Sequence, residues 1–212
     1  MDQKLVAVVD YGMGNLRSVS KAAEHVADTN TRVVVTHEPN VIEDADAIIF
    51  PGQGAAKACM AALNETGMIH PVQKAEQEKP FLGICMGLQV LMSHSDENDG
   101  IKCMDVIPGN VKHFDFAKDS PLKTPHMGWN QITQTKEHAL WHKIPQDSRF
   151  YFVHSYYVQP ENEDFITGTT THGITYPSVL SHDKLFAIQA HPEKSAEHGL
   201  QLFRNFLQWN GQ

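Results

Sequence analysis

A cysteine framed by glycines sets the tightest constraint on how this chain can fold. It lies in Lys79-Pro80-Phe81-Leu82-Gly83-Ile84-Cys85-Met86-Gly87-Leu88-Gln89-Val90-Leu91, with an apolar run before it and an apolar-periodic run after it. That pattern reads as strand, sharp turn, helix. Glycines two positions either side of Cys85 let the backbone bend tightly and let strand and helix approach closely. The thiol is then expected above the strand end, at the N-terminus of the following helix, where unpaired N–H groups and the dipole favour a thiolate. The Met86 N–H would point at an oxyanion. A buried packing thiol fits the same frame, so a catalytic reading needs a base elsewhere.

Phe186-Ala187-Ile188-Gln189-Ala190-His191-Pro192-Glu193 supplies one. An alternating strand is expected to deliver His191 at its tip. Pro192 holds His191 extended, so Glu193 returns to the same side and bonds the imidazole. Nucleophile, base and orienting carboxylate complete a triad. The chain has 13 histidines; His191 stands out because it joins a His-Pro-Glu tip to a Gly-x-Cys-x-Gly elbow distant in sequence.

Gly83-Ile84-Cys85-Met86-Gly87-Leu88-Gln89 and His191-Pro192-Glu193 together resemble the class I (triad-type) glutamine amidotransferase family, and the resemblance covers essentially the whole chain. Asp10-Tyr11-Gly12-Met13-Gly14-Asn15 and Pro125-His126-Met127-Gly128-Trp129-Asn130 are similar to segments of one branch, the glutaminase subunits of imidazole glycerol phosphate synthases of histidine biosynthesis. The resemblance implies Cys85, His191 and Glu193 as the catalytic triad, an oxyanion hole at Gly52, Gln53 and Met86, and glutamine contacts from Gln89, His154, Ser155 and Tyr156. It implies a heterodimer with a (β/α)8-barrel cyclase, with Asn15 and Lys194 at the interface, and no cofactor or metal. The Pro51-Gly52-Gln53-Gly54 loop departs from the family pattern at Gln53, where valine or glycine is expected, which leaves its resting conformation open. On chemistry alone Asn15 is equally a turn residue with local backbone bonds, and Lys194 equally a solvated lysine.

Length and charge narrow the class. At 212 residues the chain suits a single domain, 1–212, and its net charge of −8 without a basic run disfavours nucleic acid. No apolar run approaches a membrane span and Met1-Asp2-Gln3-Lys4 has no signal-peptide layout, so a cytoplasmic enzyme is expected. Cys59, Cys85 and Cys103 have neither metal-ligand spacing nor an even count, and Cys59 and Cys103 read as reduced packing residues.

The expected fold is α/β, doubly wound, with a mostly parallel central sheet and antiparallel strands in the second half. Leu5-Val6-Ala7-Val8-Val9, Arg32-Val33-Val34-Val35-Thr36 and Ala45-Asp46-Ala47-Ile48-Ile49-Phe50 are apolar strands separated by helical patterns, which gathers their following loops at one sheet edge. Gly12-Met13-Gly14 lacks the third glycine of a dinucleotide fingerprint, and Pro51-Gly52-Gln53-Gly54 lacks the Lys-Ser/Thr of a P-loop. Residues 67–78 read as a polar helix or two short ones, with Pro71 as a helix start, 93–100 as a surface loop, and 114–121 as a mobile connection. After about residue 100 short strands take over. His126 has no nearby carboxylate in sequence and reads as structural or near the interface. Residues 149–158 read as one aromatic core strand, whose Tyr hydroxyls at a wet edge are compatible with glutamine contact. Leu200, Phe203, Phe206 and Leu207 mark a closing amphipathic helix over 196–209. Three rivals share parts of this pattern: a free-standing cysteine hydrolase, a non-catalytic regulatory subunit, and the amidotransferase component of another synthase.

Overall fold

A computed structural model of the chain describes residues 3–117 and 119–212. Met1 and Asp2, on which the leader reading rests in part, and Lys118, inside the expected mobile connection, lie outside the described residues. The first half runs β1 (Lys4–Val9), α1 (Leu16–Val26), β2 (Thr31–Thr36), α2 (Pro39–Asp44), β3 (Ala47–Gly52), α3 (Ala56–Glu65), α4 (Ile69–Glu78), β4 (Phe81–Cys85) and α5 (Met86–Gln89). The second half runs β5 (Met92–Ser95), β6 (Ile101–Lys102), β7 (Ile107–His113), β8 (His126–Gln131), β9 (Thr133–Gln134), β10 (Arg149–His154), β11 (Tyr156–Pro160), β12 (Ile166–His172), β13 (Ile174–His182), β14 (Leu185–Ile188) and α6 (Ala196–Gln208).

Alternation along the first strand builds both cores. Val6 and Val8 face one side, against Val19 and Ala23 of α1 and Leu202, Phe203 and Phe206 of α6. Ala7 and Val9 face the other, with Cys59 and Leu63 of α3 and Val72 of α4. The central sheet has the order β2-β1-β3-β4-β14-β13-β12-β9; the first five strands are parallel and the rest antiparallel. The direction of winding reverses between β1 and β3, so the loops after these strands diverge and open a crevice at their carboxyl ends. A second sheet, β11-β7-β5-β6, and the β10-β8 pair flank that crevice.

Several elements differ from the sequence reading. The helix after Cys85 is one turn, because Val90 and Leu91 give their carbonyls to Met104, Val106 and Ile107, which draws the chain into β5 instead of a loop. α4 starts at Ile69, with Pro71 still in the first turn, where no helical N–H is needed. β14 is buried at all four positions rather than alternating, as a strand covered on both faces must be. Residues 149–158 split at Ser155 into strands of different sheets. Phe114 is 1% exposed and packed against His126, His154 and Tyr176, which anchors the start of the expected mobile connection.

Candidate active site

The elbow is strained and held from below. Cys85 adopts φ 55°, ψ −109°, which an L-residue keeps only when its neighbours enforce it, at a cost of about 1–3 kcal/mol. Gly87 gives β3 its closest approach: a Cβ there would meet the Phe50 carbonyl oxygen at 1.9 Å. Gly52, opposite Cys85 in the β3–β4 register, is equally enclosed, since its Cβ would lie 2.5 Å from the Tyr11 hydroxyl. All three cysteines are free thiols.

β14 is the parallel neighbour of β4, and this adjacency brings His191 to Cys85. His191 has φ −104°, ψ 92°, the extended form Pro192 demands. Its N–H donates to the Tyr151 carbonyl at 2.8 Å, and its carbonyl accepts from Ser195 Oγ at 2.6 Å. Ser195 Oγ in turn accepts the Tyr151 N–H at 3.0 Å, so the tip is fastened to β10. Glu193 Oε1 lies 2.8 Å from His191 Nδ1, and the Glu193 side chain is 1% exposed. A carboxylate there fixes the Nδ1–H tautomer, leaving Nε2 free to take a proton. Among the described residues Nε2 closes no hydrogen bond of ordinary geometry. Burial opposes charge on the ring, but a Cys85 thiolate and the Glu193 carboxylate outweigh it and push the imidazole up to about 10. The arrangement favours the imidazolium form of His191 beside Cys85.

A cavity of about 670 Å³ opens above the thiol. Gln53, Cys85, Met86, Gln89, His154, Ser155, Tyr156, His191 and Lys194 all line it, together with the Gly12–Gly14 turn. Gly52 is not among the lining residues and lies against Met86. The Gln53 carbonyl accepts from Cys59 Sγ at 3.4 Å, which turns that peptide's other side, the Gly54 N–H, the opposite way. Gln89 donates through Nε2 to the Tyr156 carbonyl at 3.0 Å and to Gln189 Oε1 at 2.9 Å, while its own buried Oε1 has no partner among the described residues.

His154 is structural rather than a base. Its Nδ1 donates to the Tyr156 carbonyl at 2.7 Å, and its Nε2 meets the Tyr176 hydroxyl at 3.0 Å and His126 Nδ1 at 3.2 Å. Burial pushes His154 down to about 3 and, with His172 nearby, His126 down to about 4. Asn15, half-buried ahead of α1, does not line the cavity; its carbonyl accepts the Val19 N–H and its side chain caps nothing. Lys194 is exposed, its ammonium 5.8 Å from the Tyr151 ring centre.

Three features escape sequence reasoning. Glu97 lines the cavity and accepts the Ala56 N–H at the start of α3 at 2.6 Å, yet in sequence it is one of several acids in a polar loop. Gln189 is fully buried with Nε2 3.7 Å from Cys85 Sγ; the available signal was a lone amide in an otherwise apolar run. Met127 and Trp129, 63% and 45% exposed, lie on β8, the partner of the β10 strand whose Val153 lines the cavity, and only the alternation of β8 hinted at their exposure.

Residues 7–209 match the family model described as glutamine amidotransferase class-I. The chain is 64% identical over 211 residues to imidazole glycerol phosphate synthase subunit HisH of Hydrogenovibrio crunogenus, covering 100% of this chain and 99% of that one. It is 49% identical to subunit HisH 1 of Pseudomonas aeruginosa, covering 97% of each. Among solved structures, a glutamine amidotransferase superposes with a TM-score of 0.71 at 17% identity, over 96% of this chain and 97% of the other. The PurLQS structure from Thermotoga maritima gives 0.69 at 16%, over 98% of this chain and 99% of the matched one. With an α/β fold of the same kind and a family match over residues 7–209, this chain belongs to the class I glutamine amidotransferases.

Proposed function

We propose that this chain is the glutaminase subunit of an imidazole glycerol phosphate synthase, acting in the cytoplasm as one domain over residues 1–212. One observation carries the chemistry: a positive-φ cysteine at a cavity floor beside a histidine whose Nδ1 is held by a buried carboxylate at 2.8 Å. Cys85 thiolate attacks the side-chain amide carbon of glutamine. The oxyanion is met by the Met86 N–H, free at the start of a one-turn helix, and by N–H groups of the Gly52–Gly54 loop. His191 protonates departing ammonia, leaving a glutamyl thioester on Cys85. His191 then takes a proton from water, which attacks the thioester, and glutamate leaves as the thiol recovers its proton. Glu193 orients the ring and stabilises its cation without transferring a proton. The Glu97 carboxylate on the cavity wall suits the substrate ammonium, and Gln89, bonded to the Tyr156 carbonyl, lines the same cavity with His154, Ser155 and Tyr156.

Free ammonia is protonated in neutral water, so a synthase must pass it on under cover. The partner we infer is a (β/α)8-barrel cyclase that uses the ammonia to form imidazole glycerol phosphate and aminoimidazole carboxamide ribotide. The exposed Met127 and Trp129, with Tyr151 and Lys194 beside them, support docking at the cavity rim; Asn15 belongs to the same end of the sheet. The test is glutamate release by the purified chain, alone and with the cyclase and its ribotide. A large rise in the complex is expected. Full activity alone, unaltered by the cyclase, refutes the assignment.

A further inference from the structure

The geometry points to Gln189 as the residue that positions and stabilises the Cys85 thiolate, through an amide N–H aimed at the sulfur and locked in that orientation by Gln89. This rests on the reading of Cys85 as nucleophile. Gln189 is fully buried just past the end of β14, and its main-chain N–H donates to the Ser178 carbonyl at 2.8 Å. Its side chain reaches back beneath the elbow, with Nε2 3.7 Å from Cys85 Sγ.

The direction of this amide is determined by its neighbours. Gln89 Nε2 donates to two oxygens, the Tyr156 carbonyl and Gln189 Oε1. The Tyr156 carbonyl can only accept, which fixes the Gln89 amide with its NH2 inward. Gln189 must then present its oxygen to Gln89 and its NH2 to the sulfur. Cys85 is the sole partner of this Nε2 among the described residues. A fully buried donor without an acceptor is costly, so the sulfur and the amide satisfy each other.

An N–H bonded to a thiol is a weak contact, whereas bonded to a thiolate it is charge-assisted. Gln189 therefore favours the ionised nucleophile and holds it pointing into the cavity. The bond weakens again once the sulfur is acylated and neutral. Other titratable groups face Cys85 as well. His191, backed by Glu193 and followed by Lys194, comes from the segment after β14. Glu97 and His154 stand on the cavity wall, and Tyr11 and Cys59 lie nearby. None of these supplies an N–H fixed on the sulfur by a second buried amide.

The experiment compares wild type with Gln189→Met, close in size and without a donor, in the intact chain. Iodoacetamide alkylation of Cys85, located by peptide mapping, is followed against pH alongside kcat and KM for glutamine. The expected result is a midpoint about one pH unit or more higher and a kcat about 10-fold lower with KM little altered. An unchanged midpoint overturns the inference, since a packing role would leave it in place. In wild type the Gln189 side-chain amide resonance should titrate together with Cys85 and cease to do so in Cys85→Ala. A resonance indifferent to Cys85 also overturns the inference, and this decides the matter even if Gln189→Met does not fold. Glutamine turnover surviving in Cys85→Ala instead brings down the nucleophile itself, a distinguishable failure.

Discussion

Glu193→Gln tests the orienting carboxylate most directly, because it keeps the shape and one acceptor oxygen while removing the charge. In the wild type Oε1 lies 2.8 Å from His191 Nδ1 on a side chain that is 1% exposed, so bulk water does little to screen it. A hydrogen bond to a charged group is worth about 1.5–3 kcal/mol, which is the stabilisation the imidazolium stands to lose. At 1.36 kcal/mol per factor of ten, kcat falls about 10- to 150-fold. The imidazole, held up at about 10 by Cys85 and then Glu193 against its burial, drops by about one to two pH units. The folded-state value lies above the ordinary 6.5, so this group's stabilisation is complete below 6.5 and fades as the pH rises towards 10. The variant should therefore lose stability at neutral and acidic pH and converge on wild type in alkali. Glutaminase rates with the partner present, recorded from neutral to alkaline pH, and denaturant unfolding over the same range read both effects. Wild-type kcat with an unshifted profile would refute the triad geometry as the source of the charged imidazole.

Cys85→Ala should abolish glutamine-dependent synthesis by the complex while ammonia-dependent synthesis by the cyclase continues; residual glutamine turnover in pure variant would contradict the assignment. Gly87→Ala drives a Cβ to 1.9 Å from the Phe50 carbonyl, and overpacking of this kind costs about 1–3 kcal/mol. Its Tm should fall by roughly 2–12 °C with loss of glutaminase activity, and an unaltered melt would show that the elbow is not clamped on β3. His126 and His154 are neutral in the fold with values well below 6.5, so each takes up a proton more readily on unfolding. Stability should decline by about 1.4 kcal/mol per pH unit for each as the pH falls from 6.5 towards 4, in urea titrations. Trp129→Ala should weaken cyclase binding by about 1–3 kcal/mol in a titration while leaving the melt unchanged, because its side chain is half in solvent.

What the sequence disclosed, and what it hid, divides by the range of the forces involved. The meeting of Cys85, His191 and Glu193 was legible because its grammar is local: glycines at fixed offsets from Cys85, and a proline that forces His191 extended and returns Glu193 to the ring. The parallel half of the sheet was legible for a similar reason, since strands such as β1 and β3 are covered on both faces and read as unbroken apolar runs. The misread elements are those whose fate depends on residues far away in the chain. α5 stops after one turn because residues 104–107 capture the carbonyls of Val90 and Leu91, and no propensity within 86–91 announces that. Ser155 divides an aromatic run because β8 and β7, from separate segments, pair with its two halves. Glu97 was hidden for the converse reason: its neighbours Asp96 and Asp99 are ordinary solvated acids, and only the Ala56 N–H, 41 residues earlier, turns it into the cavity. Gln189 belongs to the same category. A buried polar side chain at the end of a fully apolar strand costs stability unless something buried needs it, and in this fold the sulfur of Cys85 and the amide of Gln89 are what it meets. The sequence rule that follows is specific: where a buried strand runs into a His-Pro-Glu tip, an unexplained amide between the strand end and the histidine should be sought at the cysteine of the elbow.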